Sequence, residues 1–178
     1  MPVLVAYASK YEGTRGIAER IAETLSASGL DATARSVNTV TDLGEYDAFV
    51  LGSAVYIGSW MKEALSFARQ YQQALASRPV WLFSSGPLGA SGDTQVHAVP
   101  ESAVPKQIPE LKEMLGAREH RVFFGVSDHT HFDLRDKVIY AVPGGKKLLT
   151  DGDFRDWAEI DTWAAEIAHA LSPAAASA

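Results

Sequence analysis

The chain has no cysteine among its 178 residues. That excludes disulfides, thiolate metal sites and cysteine nucleophiles, and it fits a reducing compartment. Basic residues are in deficit, 16 Lys and Arg against 22 Asp and Glu, and the formal charge of −6 argues against a nucleic-acid partner. No apolar run approaches the ~20 residues of a membrane span. Met1-Pro2 enters the first apolar run without the basic segment or small-residue cleavage pattern of a secretory leader, so a cytoplasmic protein is expected. What is present, 47% hydrophobic residues with 21% charged, suits one globular domain over residues 1–171 and a frayed tail over 172–178.

The most informative stretch is Val3 to Ala18. An apolar run stops at Ser9-Lys10-Tyr11-Glu12-Gly13-Thr14 and passes into a helix-periodic pattern, which builds a strand, a tight loop and a helix N-terminus. Backbone N–H groups in such a loop and first turn have no partners of their own, and the helix dipole favours an anion. Ser9, Tyr11 and Thr14 add hydroxyl donors. The loop has neither the glycine and Lys-Ser/Thr spacing of a Walker motif nor the dinucleotide G-x-G-x-x-G. A hydroxyl-rich loop of this size suits a terminal monophosphate, such as that of flavin mononucleotide (FMN); a plain turn capped by Thr14 would read similarly.

Apolar spacing predicts a first helix through Ile17, Ala18, Ile21, Ala22 and Leu25, stopped near Gly29. It predicts an edge-like strand over Leu30–Val37, a central strand at Ala48–Gly52 and a helix from Ser59, as N-cap, to about Leu75. A strand at Pro79–Phe83, a helix through Ile108, Leu111 and Leu115 ended by Gly116, and a strand over Arg121–Val126 follow. Asp156 to Glu159 has capping-box spacing. It opens a final helix whose stripe is Trp157, Ile160, Trp163, Ala164, Ile167, Ala168 and Leu171. Five strands alternating with helices imply an α/β fold, a doubly wound parallel sheet in the order 2-1-3-4-5 with helices on both faces.

In such a sheet the ligand lies beyond the carboxyl ends of the strands, which gathers three loops around one pocket. The second loop, Ser53-Ala54-Val55-Tyr56-Ile57-Gly58, offers Tyr56 as a stacking surface for a flat ring, with Trp60 as a second candidate. The third, Ser84-Ser85-Gly86-Pro87-Leu88-Gly89, is small enough for backbone donors to approach a ligand edge. Residues 53–60 and 84–92 contain no Asp, Glu, Lys, Arg or His. An uncharged mouth suits a small apolar substrate or a quinone better than a protein docked by charge.

His129 and His131 stand two apart near Asp128 and Asp133, a spacing that defines no metal site by itself, so none is expected. The segment from Ser127 to Gly152 balances its charges. It could cover the ligand, shape a substrate pocket, or lay Val138–Val142 on a lipid surface as a peripheral contact. No residue is singled out as a general acid or base.

Taken together these motifs resemble the flavodoxin superfamily, and more narrowly the flavodoxin-domain family that includes the menaquinone-dependent protoporphyrinogen oxidases. The resemblance rests on Tyr7 to Ala18, on Tyr46 to Gly58 followed by Lys62-Glu63, and on Asp156-Trp157. It implies FMN as cofactor, its phosphate held by Ser9, Lys10, Tyr11, Glu12, Gly13 and Thr14. Ser53 to Gly58 and Ser84 to Gly89 would then flank the ring. Tyr11 departs from the pattern, standing where the family's loop has a short hydroxyl. The implied activity is an FMN-dependent oxidoreductase between a small organic substrate and a quinone, with protoporphyrinogen as one candidate. An electron carrier for redox protein partners and an NAD(P)H:quinone reductase are the alternatives.

Overall fold

The computed structural model describes residues 1–10, 12–56, 58–86, 104–127 and 152–172. In chain order the elements are β1 (Pro2–Ala8), α1 (Gly13–Ala27), β2 (Asp31–Ser36), a 3-10 turn (Val37–Thr39), β3 (Ala48–Tyr56) and β4 (Ser59–Trp60). They continue with α2 (Lys62–Gln70), α3 (Gln72–Ala76), β5 (Val80–Ser85), α4 (Ile108–Leu115), β6 (Glu119–Phe123), β7 (Val126–Ser127), β8 (Gly152–Asp153) and α5 (Trp157–Leu171).

The central sheet runs β2-β1-β3-β5-β6, every neighbouring pair parallel. This is the 2-1-3-4-5 order expected for five strands, to which β4 adds a short antiparallel partner on β3. Strand residues alternate between the two faces, and both faces are covered, which is why β1 reads as a continuous apolar run. Leu4, Phe49, Leu51 and Leu82 face α2 and α4 with Trp60, Phe67, Leu111 and Leu115. Val3, Val5, Val50, Phe83 and Phe123 face α1 and α5 with Ile17, Ile21, Trp163 and Ile167. Arg20 ties these two helices, donating to both carboxylate oxygens of Asp161 at 2.7 and 2.6 Å.

Several local expectations change. Ser59 is not a helix N-cap: it pairs with Tyr56 across a hairpin, and the helix begins at Lys62 after Met61. The cap function is taken over at a distance, because Ser53 Oγ accepts the Met61 N–H at 3.0 Å. The predicted continuous helix breaks at Tyr71, which leaves helical geometry at φ −105° and ψ 18° while its hydroxyl donates to Thr41 O. Val126 belongs to the separate β7–β8 ribbon, so the last sheet strand stops at Phe123. Trp157 is not part of the buried stripe. It is 37% exposed, with the Arg155 guanidinium 4.5 Å above its ring, and burial of α5 begins at Ile160. Asp156 does cap that helix, accepting the Glu159 N–H at 3.0 Å.

Candidate functional site

The register of the sheet decides what lies beside what. Ala8 is opposite Ser53 on the neighbouring strand, and Ser53 is opposite Ser84 on the next. β1 ends at Ala8 and β5 at Ser85, opposite Ser53 and Ala54, while β3 runs on to Tyr56 between them, so the segments that follow emerge from three adjacent strands across roughly 10 Å, two strand spacings.

At the first loop, Ser9 Oγ is buried and has no hydrogen-bond partner among the described residues. A buried hydroxyl in that state costs about 1–3 kcal/mol unless something satisfies it. Next to it Glu12, the N-cap of α1, takes the left-handed conformation at φ 61° and makes no side-chain cap. Its carboxylate turns outward to Arg15 at 2.9 Å and so does not cap the first-turn amides of α1. Thr14 is buried at 2% exposure. Gly13 admits no side chain, since a Cβ there would lie 2.7 Å from Val126 Cγ1. The helix end is thus walled by the start of β7, and a helix N-terminus that Glu12 does not cap, beside Ser9 Oγ, fits an anion with several acceptor oxygens.

The second loop is a β-hairpin. Val55 pairs with Trp60 and Tyr56 with Ser59, and the turn between them carries Gly58 at φ 70°. Tyr56 meets the first loop: Lys10 Nζ lies 3.4 Å from its hydroxyl and 4.5 Å from its ring centroid. The two loops are joined across the end of β1 and β3, with a cation placed over an aromatic face. Ser53 is fully buried, donating to Ala54 O at 2.9 Å as well as accepting from Met61. Val55 packs against the core beside α2.

At the third loop, Ser84 is fully buried, and its hydroxyl sits between Trp60 Nε1 and His120 Nε2, each at 2.8 Å. Trp60 is therefore a core side chain and not a second stacking surface. Ser85 is 7% exposed, and the Gly86 N–H donates to Phe123 O at 2.9 Å, which ties this loop to the exit of β6. Tyr11, Ile57, Pro87, Leu88, Gly89, His97, His129, His131 and the segment 128–151 lie outside the described residues.

His120, Val126 and the hairpin itself were not singled out from sequence. The hairpin had a signal: a residue-Gly pair at 57–58 between Tyr56 and Ser59 is a two-residue turn pattern. His120 had none, as its partner Ser84 is 36 residues away. Among the described residues, no group of three His, Asp or Glu could hold a metal ion, and no helix is long and apolar enough to cross a membrane.

A family model described as "Flavodoxin domain" matches residues 4–143. No curated protein sequence matches the chain. Among solved structures, flavodoxin 1 of Bacillus cereus is similar at a TM-score of 0.62 and 15% identity, the match covering 97% of this chain and 100% of that one. A point mutant of the flavodoxin from Pseudomonas aeruginosa is similar at a TM-score of 0.58 and 20% identity, over 96% of this chain and 99% of that one. The rubredoxin oxygen:oxidoreductase of the anaerobe Desulfovibrio gigas matches at a TM-score of 0.62 and 14% identity. That match covers 96% of this chain, which spans only 36% of the longer protein.

Proposed function

The chain belongs to the flavodoxin domain family, and from that premise we propose that it binds FMN across its three loops and passes electrons between a small organic substrate and a quinone. The observation that carries this reading is the buried Ser9 Oγ, without a partner among the described residues, before a helix that Glu12 does not cap and on the same sheet edge as Tyr56. A phosphate would satisfy Ser9 Oγ, and Tyr56 would offer an aromatic surface to a flat ring. Ser9, Thr14 and the amides around Gly13 would hold the phosphate, with Lys10 adding charge. Tyr56 would stack on the ring, and the backbone at Ser85 and Gly86 would meet its edge. Bound FMN supplies the redox chemistry, and the protein orients it and limits access of water.

The choice of a small partner rests on the mouth. The described residues of the second and third loops carry no Asp, Glu, Lys, Arg or His, which leaves a protein partner little charge to dock against. The resemblance to the oxidase family makes protoporphyrinogen the first substrate to test. A second reading, an electron carrier for protein partners, is favoured by the near-equal length of this chain and the similar flavodoxins. The test is direct. The purified protein is expected to show a flavin visible spectrum, or to gain one with added FMN. Once reduced, it is expected to be reoxidised faster by menaquinone analogues than by a flavodoxin's protein partner. A protein that stays colourless with excess FMN would overturn the cofactor reading, and exclusive reaction with the protein partner would select the carrier.

A further inference from the structure

His120 belongs to none of the three loops, yet it ends a hydrogen-bonded chain that begins on one of them. The Trp60 indole can only donate, and it donates to Ser84 Oγ at 2.8 Å. The Ser84 hydroxyl then has one proton to place, and His120 Nε2 at 2.8 Å is its only acceptor among the described residues. The sequence of donors therefore makes Nε2 an acceptor and places the imidazole's own proton on Nδ1. An imidazolium would reverse the last bond and leave the serine proton without an acceptor. Among the described residues two charged groups bear on the ring: Lys112 from α4 opposes protonation, and Glu119, its neighbour on β6, favours it. Burial is the larger effect and pushes the group down to about 4. Ser84 on β5 and Trp60 on β4 bring no charge.

The chain of bonds matters because β4 is only two residues long. A hairpin so short is marginal by itself. Its two cross-strand pairs are reinforced by the Ser53 bond to Met61 and, on the other side, by Trp60 on Ser84. We propose that His120 is a positioning residue: through Ser84 and Trp60 it locks the Tyr56 hairpin onto β5, and so sets the affinity of the aromatic site. The identity of the ring bound there rests on the FMN reading above; the lock itself does not.

The test uses the full chain with four substitutions, His120→Leu, His120→Gln, Trp60→Phe and the double variant Trp60→Phe/His120→Leu. The first readout, amide hydrogen exchange at residues 55–60 in the apoprotein, needs no ligand. His120→Leu is expected to speed that exchange about tenfold, the loss of one buried hydrogen bond. Gln, whose amide oxygen can accept the Ser84 proton, is expected to stay within about threefold of wild type. In the Trp60→Phe background, His120→Leu is expected to add nothing. FMN affinity, read by flavin fluorescence quenching, is expected to follow the same order. Wild-type exchange in His120→Leu, equal effects of Leu and Gln, or additive effects in the double variant would overturn the lock. Faster exchange with unchanged FMN affinity would overturn the link to the site. Failure of wild type to bind FMN would sink the cofactor reading alone, and hydrogen exchange would still decide the lock.

Discussion

Ser9 offers a test in which holding a ligand and holding the fold have opposite signs. Its hydroxyl is buried without a partner among the described residues, so Ser9→Ala removes a group that costs the apoprotein stability. The apoprotein melting temperature is expected to stay level or rise in differential scanning calorimetry. FMN affinity is expected to fall by roughly 1–3 kcal/mol, and Thr14→Ala should weaken it similarly. Equal affinity in the double variant would remove the phosphate assignment. His120 provides a second test, by pH. The folded protein resists protonating it until about 4, against an ordinary value of 6.5. Between those values the unfolded chain binds more protons, so this group's contribution is intact above about 6.5 and is lost as pH falls toward 4. Urea denaturation at several pH values is expected to show that slope in wild type, and a flatter one in His120→Gln. Ser9 and Thr14 could be proposed from the sequence because an anion cradle would be built from consecutive residues. His120 could not, because its role is made by strand pairing alone.

Elements were legible where one face of a helix or both faces of a strand are buried, as with α1, α4, α5 and the strands β1, β3 and β5, and the edge strand β2, without a buried residue, was legible from its amphipathic pattern. They were misread where a side chain had a tertiary partner that competes with periodicity. Ser59 has N-cap chemistry, but the Tyr56–Ser59 pairing and the Trp60 bond to Ser84 hold this stretch extended. Trp157 is apolar at helical spacing, yet it sits in the first turn of α5 beneath Arg155 and never reaches the sheet. Trp163, further along the helix, does. It is 1% exposed, meets Phe83 and Phe123 edge to face at 6.4 and 5.5 Å, and donates from Nε1 to Glu119 at 3.0 Å. Trp163→Ala is expected to destabilise the protein by about 3–5 kcal/mol in urea denaturation, a large aromatic lost from a packed core. Trp157→Ala, at the surface, is expected to cost no more than about 1 kcal/mol. Similar costs at the two positions would contradict this assignment of the α5 face.

At the scale of the whole molecule, fold and site are linked by register. Because Ala8, Ser53 and Ser84 align across three strands, the Ser9–Thr14 loop, the Tyr56 hairpin and the segment at Ser85–Gly86 share one edge, which local sequence motifs alone only suggest. The described residues of the second and third loops on that edge carry no charge, on a chain whose net charge is −6, and the first loop adds Lys10 and Glu12. A protein redox partner would have to be steered by the acidic surface as a whole, and its rate would then depend on salt, since exposed charges are screened beyond about 8 Å at 0.15 M ionic strength. A neutral quinone meeting an uncharged mouth feels no such field. Stopped-flow reoxidation of the reduced protein by a short-chain menaquinone analogue is therefore expected to change less than about twofold from low salt to about 0.15 M, while a basic protein acceptor should slow several-fold over the same range. If the quinone rate is negligible and the protein rate is fast and salt-dependent, the acidic surface is the docking element. The uncharged mouth would then serve only to hold the ring, and the carrier reading would replace the enzyme.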